Sequence, residues 1–142
     1  MKAEASTVGF TGTSRGMTAW QKTELRVRLT ALYGGPNSEF HFGDCIGSDA
    51  EAAGIARAIG YELHSHPCNI SRARSWVPAG HVYPEKRPLV RNHDIVDAVK
   101  VLLAAPKRRQ EELRSGTWAT IRYARVQKRN IVILDPEGGV VD

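Results

Sequence analysis

Cysteine is scarce in this chain, and long apolar runs are missing. The 142 residues include two cysteines, Cys45 and Cys68, which do not form a Cys-x-x-Cys pair. We therefore expect no disulfide framework, and we expect reduced thiols in a cytoplasmic protein. No apolar run approaches the roughly 20 residues that cross a bilayer, and residues 1–5 lack the apolar core of a signal peptide. The sequence thus predicts no membrane partner.

The composition is that of an ordinary globular domain with a basic excess. Hydrophobic residues make up 42% and charged residues 25% of the chain, and the formal net charge is +5. A chain of this length can bury a core without cross-links, so we expect a single domain over residues 1–142. The positive charge favours anionic ligands, and both nucleotides and nucleic acid are admissible.

Short apolar segments alternate with helical patterns along the chain. We predict strands at 6–11, 39–42, 61–66, 99–105 and 130–134, with helices between them, the last running from Thr117 to Lys128. This alternation is typical of an α/β protein with right-handed crossovers. The predicted fold is a three-layer, Rossmann-like arrangement around a mainly parallel five-stranded sheet, with its strands in the order 3-2-1-4-5.

Three glycine-containing turns follow the first, second and fourth predicted strands. They span 12–16, 43–49 and 114–120, and each one precedes a predicted helix. The carboxyl ends of parallel strands lie at one edge of the sheet, where ligands bind near the topological switch point. Ser115 is a candidate N-cap, and the free N–H groups of the helix behind it favour a phosphate. We expect the turns to form one pocket with a phosphate-binding loop.

Several side chains of these turns could either contact a ligand or stabilise the structure. Arg15 could pair with a phosphate or cap a carbonyl on the surface. Asp44 could bind a ribose hydroxyl or brace its loop, and Asp49 could touch the ligand or cap its helix. Thr117 is expected to offer its N–H and hydroxyl to a phosphate. Trp118 could stack on a base or pack in the core.

The segment from Pro67 to Arg87 is the least regular part of the sequence. It carries four cations and Trp76 among prolines and a glycine. Such a long irregular segment is often a lid or binding loop, and cations near an aromatic ring suit a nucleotide or a nucleic-acid strand. A solvated loop is the alternative. The basic run Lys107-Arg108-Arg109, just before the third turn, could form a flap over it.

Histidine spacing does not indicate a metal centre. The histidines and cysteines show no His-x3-His or Cys-x-x-Cys pattern, so we predict neither a metal nor a cofactor. His64 and His66 alternate along a predicted strand, which places both rings on one face. A weak metal site there is conceivable.

The order of the turn motifs resembles the SLOG superfamily. The motifs are Gly12-Thr13-Ser14-Arg15, Gly43-Asp44-Cys45-Ile46-Gly47-Ser48-Asp49, Arg91-Asn92 and Ser115-Gly116-Thr117-Trp118-Ala119-Thr120. This Rossmann-like group includes the DNA-processing protein DprA and the cytokinin-activating LOG enzymes, and the match is closest to its single-domain YpsA/YspA-related branch. The resemblance covers nearly the whole chain. It implies nucleotide-type ligands, a homo-oligomer, and ligand contacts at Gly12, Thr13, Ser14, Arg15, Gly43, Asp44, Gly47, Asp49, Arg91, Asn92, Ser115, Gly116, Thr117 and Trp118.

The resemblance leaves the activity open. Three functions are admissible: binding a nucleotide or nucleotide-derived phosphorylated ligand, binding single-stranded nucleic acid as DprA does, and hydrolysing an N-glycosidic bond as LOG enzymes do. In LOG enzymes a glutamate of the last motif supports the hydrolysis, and Thr120 stands at that position here. A hydroxyl cannot replace a carboxylate in this chemistry. Asp44, Asp49 or Glu85 would have to supply it, and we identify no catalytic residue.

Overall fold

Alternating strands and helices build three layers around one open sheet. The computed structural model describes residues 4–138 and 140–141. In chain order the elements are β1 (Thr7–Gly12), α1 (Ala19–Leu32), β2 (Glu39–Phe42), α2 (Ser48–Ile59), β3 (Glu62–Ser65), a 3-10 turn (Ser71–Ala73), β4 (His81–Val82), α3 (Pro88–Ala98), β5 (Val101–Ala105), α4 (Gly116–Val126), β6 (Asn130–Leu134) and β7 (Val140–Val141). None of the described helices is long and apolar enough to span a bilayer.

The sheet has the order β4-β3-β2-β1-β5-β6-β7. Strands β1 to β6 pair in parallel, and β7 pairs antiparallel with β6. The predicted α/β class and the predicted order of the five main strands are confirmed. The number of strands is corrected, because the parallel part has six strands rather than five.

The missed edge strand lies inside the segment that we predicted to be irregular. His81 and Val82 pair with His64 and Ser65 of β3. A two-residue strand between prolines and glycine carries no periodicity of its own, so only the neighbouring edge defines it. The 67–87 segment is therefore partly ordered by pairing with the sheet.

The helix termini follow the local sequence. Thr18 caps α1 in a reciprocal arrangement with Gln21, which satisfies two otherwise free N–H groups. Pro88 occupies the first turn of α3, where its missing N–H costs nothing. Ser115 caps α4 by accepting from the N–H of Trp118, as predicted. Helix α4 begins one residue earlier and ends two residues earlier than expected.

Apolar clusters cover both faces of the sheet. On one face the aromatic side chains of β1 and β2 pack with α1 and α2, through residues such as Phe10, Phe40 and Leu25. On the other face β5 and β6 pack with α3 and α4 through Ala104, Leu102, Val96, Ile121 and Ala124. Because β1, β2 and β5 are parallel, their carboxyl ends lie at one edge of the sheet, where the three predicted turns meet.

Candidate functional site

The turn after β1 is anchored from both sides. The N–H of Thr13 donates to the Ala105 carbonyl at 3.1 Å, and the Ser48 hydroxyl donates to the Thr13 carbonyl at 2.6 Å. A β-carbon at Gly12 would lie 2.7 Å from that of Ser48, so helix α2 begins directly against the strand end. These contacts fix the backbone of the turn, while the Arg15 side chain extends into solvent.

Helix α4 begins at the same edge of the sheet. Three backbone N–H groups at this edge donate to no acceptor among the described residues, namely those of Ser14, Gly116 and Thr117. A β-carbon at Gly116 would meet nothing within 4 Å, so space is open in front of the helix. These donors and the positive end of the helix dipole form an anion site.

Arg91 lies at the floor of the cleft between these turns and is only 5% exposed. Its Nη1 donates to the carbonyl oxygens of Gly43 and His66, the latter at 3.1 Å. Its Nη2 donates to the sulfur of Cys45 at 3.0 Å, and its Nε donates to Asn92 at 2.6 Å. Most of the donors of Arg91 are therefore used to join the ends of β2 and β3 to α3.

Asp49 shares this floor and is the buried acid of the cleft. It accepts from the Cys45 N–H at 3.1 Å. Burial raises the pKa of Asp49 to about 6, although Arg91 and the Cys45 N–H favour the ionised form. Burial, followed by the charge of Asp49, raises the pKa of the Cys45 thiol to about 11. The thiol is therefore neutral near pH 7, which excludes it as an activated nucleophile.

These parts enclose one cleft of about 460 Å³, a volume typical of small-molecule sites. Eleven of the fourteen predicted ligand residues line it: Gly12, Thr13, Ser14, Arg15, Gly43, Asp49, Arg91, Asn92, Ser115, Gly116 and Thr117. The tertiary structure thus brings the three turns and the Arg91-Asn92 pair together.

Three predicted contact residues do not line this cleft, and each has a structural role instead. Asp44 is fully buried and turned towards the 67–87 segment, where Arg74, Ser75 and the N–H of Val77 donate to its carboxylate. Gly47 lies against the backbone of Ser14. Trp118 is 3% exposed and packs in the core. The geometry does not support a ligand contact for these residues.

The cleft also includes residues that we did not predict as ligand contacts. Pro88 and Leu89 of α3 supply an apolar wall, and Lys107, Glu112 and Arg114 approach from the link between β5 and α4. Cys45 and the end of β1 complete the lining. Of the basic run 107–109, only Lys107 lines the cleft, and the course of this link places it and Arg114 at the mouth.

Positive charge dominates the mouth of the cleft. Arg15, Lys107 and Arg114 form no ion pair with a described residue, whereas Glu112 lies 3.9 Å from the Nε of Arg108. Unpaired cations beside free N–H groups favour an anionic group with several oxygen acceptors.

The position of the LOG glutamate is closed to a ligand. Thr120 is 1% exposed, and its hydroxyl donates to the Gly116 carbonyl at 2.9 Å within α4. Of the acids named as replacements, Asp49 lines the cleft, whereas Asp44 and Glu85 do not. A carboxylate is thus present, but it comes from α2 rather than from α4.

No protein-family model matches the chain, and no curated protein matches it in sequence. Solved structures do match in fold. The molybdenum cofactor binding protein of Rippkaea orientalis has a TM-score of 0.70 at 14% identity, covering 93% of this chain and 77% of that one. DprA of Streptococcus pneumoniae has a TM-score of 0.68 at 18% identity over 97% of this chain.

The chain spans about half of that DprA, 52% of its length. DprA of Helicobacter pylori, described for its single-stranded DNA binding mode, has a TM-score of 0.65 at 16% identity, covering 93% of this chain and 69% of that one. These identities are low, so the likeness concerns the fold. The resemblance inferred from the four motifs is confirmed at that level: this chain has the Rossmann-like fold of SLOG-type proteins.

Proposed function

We propose that the cleft binds a nucleotide or a nucleotide-derived phosphorylated molecule. The observation that carries this proposal is the meeting of free N–H groups at Ser14, Gly116 and Thr117 with three unpaired cations. Phosphate oxygens accept hydrogen bonds both from backbone N–H groups and from cationic side chains. We also propose that residues 1–142 form a single domain, because the strands whose ends line the cleft belong to one continuous sheet.

Two parts of the cleft lining suit two parts of such a ligand. A phosphate fits in front of α4, where Gly116 leaves open space. Pro88 and Leu89, at the start of α3, add an apolar surface to the cleft, which suits a planar heterocycle or a sugar. Because the Rippkaea protein is named for binding the molybdenum cofactor, small molecules other than plain nucleotides are candidates too.

The test is a thermal-shift panel on the full chain. It compares nucleoside mono-, di- and triphosphates, ADP-ribose and dinucleotides with the matching unphosphorylated nucleosides. A ligand at about 100 times its dissociation constant adds roughly 2.7 kcal/mol to the stability of the folded state, so a binder raises the melting temperature measurably. The proposal fails if no phosphorylated compound shifts the melting temperature at millimolar concentration.

Single-stranded nucleic acid is the second candidate, and Trp76 is the observation in its favour. This ring is 59% exposed, and the Arg74 guanidinium lies 3.7 Å from its centroid. However, Arg74 is also paired with Asp44 at 3.1 Å, and Lys86 is paired with Asp94 at 2.6 Å. Two of the cations that suggested strand binding are therefore already neutralised.

Salt distinguishes the two candidates. A strand that displaces counterions at several cations binds with an affinity that falls steeply as salt rises. A ligand held by a few contacts in the cleft depends on salt much less. A short oligonucleotide and the best mononucleotide, titrated in parallel at increasing salt, separate them.

Hydrolysis of the bound ligand would require Asp49, because this is the candidate replacement acid that lines the cleft. Its raised pKa suits a group that exchanges protons near neutral pH. Incubation of the best binder with the unmodified chain and with Asp49→Asn, followed by chromatography of the products, tests this activity. Turnover that persists in Asp49→Asn would exclude this role.

A further inference from the structure

A cluster of imidazole and carboxylate groups lies on the sheet face opposite the aromatic core of β2 and β3. Phe40 and Phe42 point into that core, so the alternating residues Glu39 and His41 point to the other face. The cluster combines Glu39 and His41 of β2, Glu62 and His64 of β3, and His81 of β4. Four of the five histidines of the chain gather here, since His66 contacts His41.

One buried nitrogen in this cluster lacks a hydrogen-bond partner. The Nε2 atom of His64 is buried without an acceptor or donor among the described residues. It faces the carboxylate oxygens of Glu62 at 3.5 Å and Glu39 at 3.8 Å. An unpartnered polar atom in a buried position is costly, and a nitrogen lone pair between two carboxylates is an arrangement that a cation would satisfy.

We propose that Glu39, His41 and His64 bind one divalent transition-metal ion of the zinc class. The Glu39 Oε1 and His41 Nε2 atoms are 2.8 Å apart, and all three ligand atoms lie within 4.8 Å of one another. Ligand atoms around tetrahedral zinc are separated by about 3.3 Å, since each bond is about 2.0–2.1 Å. The half-exposed Glu39 side chain can adjust to meet that spacing.

The hydrogen bonds around the two histidines support this assignment. His64 Nδ1 lies 2.9 Å from the Tyr83 hydroxyl, and His41 Nδ1 lies 2.8 Å from His66 Nε2. When the Nδ1 atoms donate these bonds, the lone pair of His64 Nε2 is free for a metal, and a bound ion would replace the proton that His41 Nε2 shares with Glu39. Ligating histidines are typically oriented in this way by a partner on the other ring nitrogen.

The donor set of the cluster also fits a metal site. Two imidazoles and one carboxylate favour zinc-class ions over Mg²⁺ or Ca²⁺, which prefer oxygen ligands.

The cluster holds one ion rather than two. His64 Nε2 belongs to both candidate triplets, Glu39-His41-His64 and Glu62-His64-His81, and it can ligate only one ion at a time. We assign the ion to the first triplet, because His41 is buried whereas His81 is exposed.

The test uses the full chain without a polyhistidine tag. The chain is dialysed against Zn²⁺ with excess Mg²⁺, its metal content is measured, and the affinity is determined by competition with a chromophoric chelator. We expect one equivalent of Zn²⁺. Co²⁺ in its place should give the intense visible absorption of a four-coordinate site. A chain that retains no Zn²⁺, or Co²⁺ with the weak spectrum of the hydrated ion, would overturn the proposal.

Variants assign the ligands. Glu39→Gln keeps the shape of a half-exposed side chain and should weaken Zn²⁺ binding at least tenfold, as should His64→Gln. Tyr83→Phe keeps the ring that stacks on His66 but removes the acceptor of His64, and should cost about 10-fold or more. His93→Gln is the matched control, because His93 is exposed and stacks on Tyr123 outside the cluster.

The test still decides for or against the metal site if the buried variant, His64→Gln, fails to fold. Circular dichroism reports the fold of each variant, and Glu39→Gln and Tyr83→Phe change half-exposed positions. Affinities in these two that equal that of the unmodified chain would overturn the proposal, as would an equal loss in His93→Gln. The proposed ligands Glu39, His41 and His64 do not line the nucleotide cleft, so Zn²⁺ binding can be measured and judged separately from the proposed function.

Discussion

Gly47 lies so close to Ser14 that a β-carbon at position 47 would be 2.1 Å from the Ser14 carbonyl oxygen. The backbone of Gly47 also has a φ of +99°, a region that other residues rarely adopt. The first and second turns of the cleft are therefore in contact, and the side-chain-free residue at position 47 permits that contact.

Replacing Gly47 should separate these two turns. Gly47→Ala combines a strained backbone, about 1–3 kcal/mol, with steric overlap, about 1–3 kcal/mol. We expect the free energy of unfolding to fall by about 2–6 kcal/mol in urea titrations. Gly54→Ala is the control, because Gly54 is exposed in α2 and a β-carbon there meets nothing within 4 Å. Equal stability of the two variants would contradict the close approach.

Gly116→Val should abolish nucleotide binding and leave the fold intact. The added side chain would fill the open space in front of α4, where the phosphate is proposed to lie. A substitution into open space changes the stability by only about 0.5 kcal/mol. Isothermal titration with the best ligand of the panel measures the loss, and Gly54→Val is the matched control. Full affinity in Gly116→Val would refute the placement of the phosphate.

Arg15→Ala should weaken the same ligand without unfolding the chain. Arg15 is exposed at the mouth of the cleft, and a hydrogen bond to a charged group contributes about 1.5–3 kcal/mol. That range corresponds to about a 10- to 100-fold loss of affinity. Arg26→Ala, at an exposed position of α1, removes the same charge elsewhere. If both variants lose affinity equally, the effect is one of net charge and not of contact.

Asp49 makes the stability depend on pH. Its pKa is raised from 3.8 to about 6 in the folded state, so the contribution of Asp49 is most favourable below pH 4 and is lost as pH rises through 6. The loss amounts to roughly 3 kcal/mol at most. Asp49→Asn removes this titration. We expect Asp49→Asn to gain stability relative to the unmodified chain between pH 4.5 and about pH 7.5, as followed by urea denaturation. A relative gain towards acid would contradict the raised pKa.

Asp44→Ala should release the 67–87 segment. The buried carboxylate accepts from Arg74, Ser75 and the N–H of Val77, and removing one partner of a buried ion pair costs about 3–5 kcal/mol. Limited proteolysis should then cut within 67–87, and urea titration should give the stability loss. Asp94→Ala breaks the more exposed pair with Lys86 and should cost less than about 1 kcal/mol. Matching proteolysis patterns would argue against the anchoring role.

The predicted elements that proved accurate are those with a local cause. Thr18 and Ser115 cap their helices through contacts within three residues. The five main strands are four to six residues long, so their apolar or alternating patterns are visible in the sequence alone. By contrast, β4 has two residues, and it exists because the edge of β3 is available to pair with it.

The candidate site likewise contains residues that the sequence could predict and residues that it could not. The glycine turns and Arg91-Asn92 could be predicted, because parallel topology brings strand ends to one edge. The orientation of Asp44 away from the cleft could not be predicted, because its partners lie some 30 positions further along the chain. The histidine cluster escaped the spacing rules for the same reason. Its residues come from three strands that become neighbours only in the folded sheet.

The sequence by itself determined the strand-helix alternation, the helix starts and the presence of donors for an anion at the sheet edge. These depend on local hydrogen bonds and on side-chain periodicity. The tertiary structure alone decided which acid enters the cleft, which glycine permits the contact between two turns, and which histidines meet. Those outcomes depend on pairing between distant segments, and no local pattern in the chain encodes the distances involved.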